Sequence, residues 1–188
     1  MRSKSEHEMD PEEVRTLLDE LRRRLLVAGI GAKIHVVGGS AMALNFPNDR
    51  DTRLTQDIDA IVFPPVEVAR VVRSMADDLG LSPTWLNSNA ASFAPPRDPQ
   101  PESPDGVEIT VAESDELIAM KLAASREQDL HDLGILARHA GITDPQQLVD
   151  IAFAAYGEGS VTLNETRDDY LIMAKEALAR AKAKARRH

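Results

Sequence analysis

Several groups of residues have types and spacings that could do chemistry. Gly38-Gly39-Ser40 lies between a β-branched run, Ile34-His35-Val36-Val37, and a short apolar stretch, Ala41-Met42-Ala43-Leu44. Glycines let the backbone turn tightly and approach a ligand, and the helix start behind them offers unpaired N–H groups and a positive dipole end to phosphate. The Gly-Lys-Ser/Thr end of a P-loop is absent, and alone such a turn is usually only a turn. Asp57-Ile58-Asp59 opens a second apolar run, DIDAIVF. Alternate side chains of a strand share a face, so both carboxylates project together, roughly 7 Å apart, while Ile58 points inward. Such a pair can grip Mg²⁺, and the metal can hold a triphosphate and offset charge on attacking and leaving oxygens. A lone Asp-x-Asp is more often a solvated strand face.

Two further groups stand later in the chain. Glu108 is a single acid within Val107-Glu108-Ile109-Thr110-Val111. By itself it is an exposed alternation position; beside the Asp57–Asp59 strand it would be a third metal ligand. Lys121, Ser125, Asp129 and Asp132 fall on one side of a helix if that helix runs unbroken. Lys121 would then meet a triphosphate, Asp129 would position or deprotonate an acceptor hydroxyl, and Arg126 adds a second cation. Without context, ordinary surface ion pairs are the simpler reading. His35, His131 and His139 form no H-x-x-x-H or H-E-x-x-H pattern, and they read as structural or surface residues. No G-x-S-x-G elbow supports a Ser/His/Asp hydrolase.

The elements that must position these residues can be read around them. Asp10-Pro11-Glu12-Glu13 is a helix start, with an acid at the N-cap and proline at the first helical position. Val14, Leu17, Leu18, Leu21, Leu25 and Leu26 continue it as one apolar stripe, stopped by Gly29 and Gly31. Strands are expected at 34–37, 57–63 and 107–111, with a weak one at 81–86. A helix is expected at 66–79 with Val68, Val71, Val72 and Met75 inward. Residues 87–106 hold five prolines and read as a long loop. Beyond residue 113 the pattern is helical: a helix with Leu117, Ile118, Met120 and Leu122, continued or restarted over 130–139; one opened by Asp144-Pro145 with Leu148, Ile151 and Phe153 inside; and a basic helix over 166–185.

The order strand, Gly-Gly-Ser, short helix, Asp-x-Asp strand and later acidic strand resembles the nucleotidyltransferase superfamily. Arg53-Leu54-Thr55-Gln56-Asp57-Ile58-Asp59 resembles the Arg-x-Ser/Thr-x-Asp-Ile-Asp run of the AbiEii-type toxins, nucleotidyltransferases of bacterial toxin–antitoxin and abortive-infection systems. Lys121-Leu122-x-Ala-x-Arg126-x-x-Asp129-Leu130-x-Asp132-Leu133 is similar to that group's second block. The likeness covers roughly residues 33 to 139. It implies an α/β (α+β) minimal nucleotidyltransferase fold, a small mixed sheet flanked by helices, over residues 1–112. A helical lobe carrying Lys121 and Asp129 and ending in a basic helix then spans 113–188. It implies that Gly38, Gly39 and Ser40 hold an NTP and that Thr55 supports the site. Asp57 and Asp59, with Glu108, would bind Mg²⁺; Lys121 and Arg126 would contact phosphate. Asp129, or alternatively Asp132, would be the helical catalytic acid. The implied reaction moves an NMP to an RNA hydroxyl, typically a tRNA 3′ end, with release of pyrophosphate and with an antitoxin as partner. The same core serves small-molecule or protein hydroxyls, or binds nucleotide without turnover.

Bulk composition narrows the classes. The 188 residues suit one domain with a lobe, and aromatics are only 4%, so Leu, Val, Ile and Ala must build the core. The absence of cysteine excludes disulfides and thiolate metal sites. No apolar run approaches the roughly 20 residues of a membrane span, and MRSKSEHEMDPEE holds no secretory apolar stretch, so a cytoplasmic protein without a membrane partner is expected. The net charge is -9, yet the last fourteen residues carry six Lys or Arg and one Glu. That tail either suits a helix C-terminal dipole or meets RNA or an acidic partner.

Overall fold

The computed structural model describes residues 8–97, 101 and 105–185. The chain divides into two compact units. One comprises Met1–Ala91 with Asp98–Ala112, the other Ser92–Arg97 with Glu113–His188.

The first unit opens with α1 (Pro11–Val27), started by its own sequence: Asp10 Oδ1 accepts from the Glu12 and Glu13 N–H groups at 2.9 and 2.8 Å. Val14, Leu17, Leu18, Leu21 and Leu25 are buried, but Leu26, expected in the same stripe, is 51% exposed. It lies in the last turn, just before Gly29 (φ 66) turns the chain away. Strand β1 (Ala32–Val36) leads into α2 (Gly38–Asn45), and β2 (Ile58–Phe63) is followed by α3 (Pro65–Leu79), stopped by Gly80 at φ 67. Val71, expected inward with Val68, Val72 and Met75, is only half-buried. β3 is just Leu86–Asn87, and the expected 81–86 strand shrinks to this stub; a 3₁₀ turn (Asn89–Phe93) comes next, and β4 is Val107–Val111.

The strands form a mixed sheet in the order β3-β2-β1-β4, with β1 antiparallel to β2 and parallel to β4. This is the small mixed α/β core the motif order implied. The pairing assigns the faces. Ile34, Val36, Ile58 and Ala60 share one face and are fully buried. Helices α1 and α3 bring their apolar stripes to this side, α1 touching β4 and α3 touching β2. Lys33, His35, Asp59, Ile61, Glu108 and Thr110 alternate onto the other face.

The second unit consists of α4 (Ser114–Ala124), α5 (Glu127–His139), α6 (Pro145–Tyr156) and α7 (Arg167–Ala185). α4 is buried from Leu117 through Ala123, and such an all-round apolar helix belongs at the centre of a bundle. In α6, Leu148, Val149, Ala152 and Phe153 are buried, whereas Ile151, expected inside, is half-buried. Gly134 lets α5 and α7 approach closely: a Cβ there would stand 3.0 Å from Ala181 Cβ and 3.1 Å from the Ala177 carbonyl. The Ser92–Arg97 segment is fastened within this unit by Tyr156, whose hydroxyl donates to the Phe93 carbonyl, and by an Arg97–Glu116 ion pair. Among the described residues, no helix is long and apolar enough to cross a membrane.

Candidate functional site

Gly38 is the first residue of α2 rather than part of a turn before it. Val37, extended at φ -130, is the N-cap, and its N–H donates to the Asp59 carbonyl at 2.9 Å. Gly38 itself sits at φ 63, where L side chains are strained, and a Cβ there would stand 2.8 Å from Asp59 Oδ2. The glycine is therefore needed twice, for its dihedral and for the close approach of a carboxylate. Gly39 is less constrained, since a Cβ there would meet only Thr55 Oγ1, at 3.8 Å. The first N–H groups of any helix lack partners inside it, so the start of α2 presents Gly38, Gly39 and Ser40 donors beside the Asp59 carboxylate.

Asp57 is held from behind. It lies at a bend directly before β2, one residue short of the strand it was expected to open. The alternation nevertheless holds: Ile58 is fully buried while Asp57 and Asp59 are half-buried. The Ser40 hydroxyl donates to the Asp57 carbonyl at 2.8 Å, and the Thr55 hydroxyl donates to the same oxygen at 2.5 Å. Thr55 is fixed in turn by an antiparallel bridge to Met9, with N–H to carbonyl distances of 2.6 and 3.3 Å. Both hydroxyl protons are thus spent on the Asp57 backbone. Ser40 and Thr55 therefore fix the Asp57 peptide through their hydroxyls.

A third side chain that holds Asp57 escaped sequence reading. Asn87 Nδ2 donates to Asp57 Oδ2 at 2.7 Å, and Asn87 is the backbone partner of Asp59 in the β2–β3 pairing. Its only signal was an asparagine closing the short apolar Trp85-Leu86, which carries no motif. The result is two carboxylates two residues apart, Asp57 held by Asn87 and Asp59 set close to Gly38. Mg²⁺ takes oxygen ligands and usually one or two carboxylates, completing its shell with water and substrate phosphates, so the donor set fits it.

Glu108 does not join them. It stands opposite Lys33 on β1 and forms an ion pair with it at 3.4 Å. Asp59 faces Val37, four residues farther along β1. At about 3.3 Å per residue that is roughly 13 Å along the sheet, with β1 between the two acids. The two share a face but not a height, and among the described residues no group of three or more His, Cys, Asp or Glu side chains could hold a metal. The next residue on that face, Thr110, is hydrogen-bonded through Oγ1 to His35 Nδ1 at 2.6 Å.

Lys121, Asp129 and Asp132 come together in the second unit, though not on one helix. α4 ends at Ala124, Ser125 adopts the left-handed region at φ 52, and Arg126 caps α5. Across this break Lys121 Nζ reaches Asp129 Oδ1 at 3.0 Å and Asp132 Oδ2 at 2.6 Å. Arg126 donates from Nε to Asp129 Oδ2 at 2.7 Å, while the Asp129 carboxylate accepts the Arg126 backbone N–H at 3.2 Å. Lys121 and Asp132 side chains are 8% exposed and Asp129 0%, whereas Arg126 is 59% exposed. Burial alone pushes the Asp129 carboxyl up, but the Arg126 hydrogen bond and the Lys121 charge outweigh it and hold the group below its ordinary value. A carboxylate so held is a weak base. In this arrangement Asp129 anchors two cations, Lys121 buried and Arg126 exposed.

No curated protein and no solved structure matches the chain. A family model described as a nucleotidyltransferase of unknown function (DUF6036) matches residues 13–171, a span that includes Gly38, both carboxylates and the Lys121 cluster, and the chain belongs to that family.

Proposed function

We propose that the protein is a Mg²⁺-dependent nucleotidyltransferase that moves an NMP from an NTP to an RNA hydroxyl, the 3′ end of a tRNA, as the toxin of a toxin–antitoxin pair. The carrying observation is the Asp59 carboxylate set against the start of α2 at Gly38, with Asp57 fastened two residues earlier by Ser40, Thr55 and Asn87. Asp57 and Asp59 would hold Mg²⁺, which when bound supplies charge neutralisation on the triphosphate and the reacting oxygens. The N–H groups at the start of α2 bind phosphate oxygens, aided by the helix dipole. With the triphosphate held by these groups, the acceptor hydroxyl oxygen would bond to the α-phosphorus and lose its proton to solvent, while the bond from the α-phosphorus to the α–β bridging oxygen breaks and pyrophosphate leaves with that oxygen. The rigid backing of Asp57 keeps its carboxylate in place through the reaction, which is where positioning contributes most. Within the helical unit, Arg126 contacts phosphate while Lys121, Asp129 and Asp132 hold its base.

Two features support an RNA acceptor. The chain is acidic overall at -9, yet Lys175 and Lys182 are exposed on α7, a sign contrast suited to a phosphate backbone. The run Arg53 to Asp59 resembles the toxin group's own, which motivates the toxin role, a cognate antitoxin and a cytoplasmic site of action. The test is incubation with Mg²⁺, total tRNA and each α-labelled NTP in turn, beside Asp57→Ala/Asp59→Ala. Label on RNA with one NTP, lost in the double variant, supports the reading and identifies the base. Label on a protein or small molecule, or none with NTP binding retained, refutes the RNA acceptor.

A further inference from the structure

We infer that Asn87 is a positioning residue for the metal-binding carboxylate pair, an inference that rests on the proposed assignment of Asp57 and Asp59 to a divalent cation. Both ends of its side-chain amide are committed. Oδ1 accepts the Asn89 N–H at 2.9 Å, Nδ2 donates to Asp57 Oδ2 at 2.7 Å, and Nδ2 lies 3.5 Å from the Thr84 carbonyl. Because Oδ1 takes a backbone donor, the amide orientation is set, and the N–H must face the carboxylate. Asn87 Oδ1 therefore faces the Asn89 backbone, and it is the amide nitrogen that meets the carboxylate. It occupies one oxygen of Asp57, fixes the plane of that carboxylate, and leaves Oδ1 to face a cation.

The backbone of the same residue completes the device. Asn87 pairs with Asp59 and Leu86 with Ile58 in a parallel strand of only these two residues. β3 is thus a stub that places one amide beside the two acidic positions, one through the strand pairing and one through the side chain. Its neighbour Ser88 fastens the stub, donating from Oγ to the Ala60 carbonyl at 2.9 Å. An amide adds no charge, so it orients the acid without competing for the cation as a third carboxylate would. Outer partners that hold a ligand in this way typically contribute about 10–100-fold to metal affinity.

The test uses Mn²⁺ as the probe, read by loss of the free-ion EPR signal on titration into the full-length protein, for wild type, Asp57→Asn, Asn87→Ala and Ser88→Ala. Circular dichroism and thermal melts verify folding of each. Asn87→Ala is expected to weaken Mn²⁺ binding by about 10–100-fold. Ser88→Ala, which loosens the same stub without touching a carboxylate, should stay within about two-fold. In the transfer assay, Asn87→Ala should raise the Mg²⁺ concentration for half-maximal rate at least about ten-fold, with kcat at saturating Mg²⁺ changed much less. Wild-type binding matched by Asn87→Ala overturns the inference and leaves the carboxylate assignment standing. Equal weakening in Asn87→Ala and Ser88→Ala also overturns it, since loosening of the stub then accounts for both. Absence of Mn²⁺ binding by wild type removes the carboxylate assignment and the inference with it.

Discussion

Replacing Lys121 with methionine tests whether its contacts are structural. The side chain of Lys121 is 8% exposed and lies within 3.0 Å of Asp129 and 2.6 Å of Asp132. Methionine keeps most of the volume and removes the cation. Two buried carboxylates then remain without the cation they share, and Arg126 still pairs with Asp129. Breaking a buried ion pair from one side costs about 3–5 kcal/mol, because the partner charge stays buried and uncompensated. At about 2–4 °C per kcal/mol for a chain of this size, the melting temperature should fall by roughly 6–20 °C. The pH dependence supplies the sharper signature. In the wild type, the Asp129 carboxyl is held below its ordinary value of 3.8. That stabilisation is complete above the ordinary value and is lost as pH falls through the depressed one. In Lys121→Met, burial is opposed by Arg126 alone, so the Asp129 carboxyl moves up and the folded state gains from protonation as pH falls. The stability gap between the two proteins should therefore be widest near pH 7 and narrow toward pH 4, measured by urea denaturation with far-UV circular dichroism. A gap below about 1 kcal/mol at pH 7, the range of exposed pairs, or one constant from pH 7 to 4, would refute the buried-cluster account.

Other perturbations read other parts of the structure. Gly38→Ala places a side chain at φ 63 with its Cβ 2.8 Å from Asp59 Oδ2; displacing that carboxylate by about 1 Å should lower NMP transfer about 100-fold. Gly39→Ala, whose Cβ meets only Thr55 Oγ1 at 3.8 Å, should stay within a few-fold in the same assay. Gly134→Ala pushes a methyl to 3.0 Å from Ala181 Cβ, so thermal melts should show about 1–3 kcal/mol of destabilisation from overpacking. Charge reversal at the exposed Lys175 and Lys182 together should weaken tRNA binding and flatten its log–log salt slope by about 1–2, read by fluorescence anisotropy from 50 to 300 mM salt. Glu108→Gln should leave Mn²⁺ affinity unchanged, because Glu108 pairs with Lys33 roughly 13 Å along the sheet from Asp59.

Where the physical determinants are local, the fold could be read from residue order. Asp10, Pro11, Glu12 and Glu13 contain the whole start of α1 within four positions, and the structure shows that cap hydrogen bond for hydrogen bond. The β-branched run before Gly38 and the alternation of 107–111 are local in the same sense. The features that residue order left open or misplaced are non-local. β3 has two residues, and its partners Ile58 and Asp59 lie 28 positions away, so nothing within it sets its bounds, and the strand expected at 81–86 meets it only at Leu86. The break between α4 and α5 lies at Ser125, which takes φ 52 without a glycine or proline to announce it. An apolar pattern that continues across such a point looks like one helix. The interior then decides otherwise, because the turn brings Asp129 and Asp132 onto Lys121.

At the site, residue types were legible while their division of labour was not. A period of two assigns a strand residue to a face but says nothing of its height along the sheet. Height comes from register, and register depends on which strands pair and in which sense. Asp57 and Asp59 escape this limit because they lie two residues apart, so any extended pairing keeps them together. Glu108 does not escape it: the parallel pairing that sets Ala32 against Val107 puts it level with Lys33, and a shift of four residues would have put it level with Asp59. Ser40 and Thr55, the one expected to hold an NTP and the other to support the site, share a partner that residue order does not show. They stand fifteen residues apart in sequence, yet both hydroxyls converge on one carbonyl, that of Asp57. A conformation that delivers two buried hydroxyl donors to a single backbone oxygen fixes that peptide firmly. In the proposed function Ser40 and Thr55 would then act through the placement of a carboxylate, and contact with phosphate would fall to the N–H groups at the start of α2, where φ 63 at Gly38 calls for glycine.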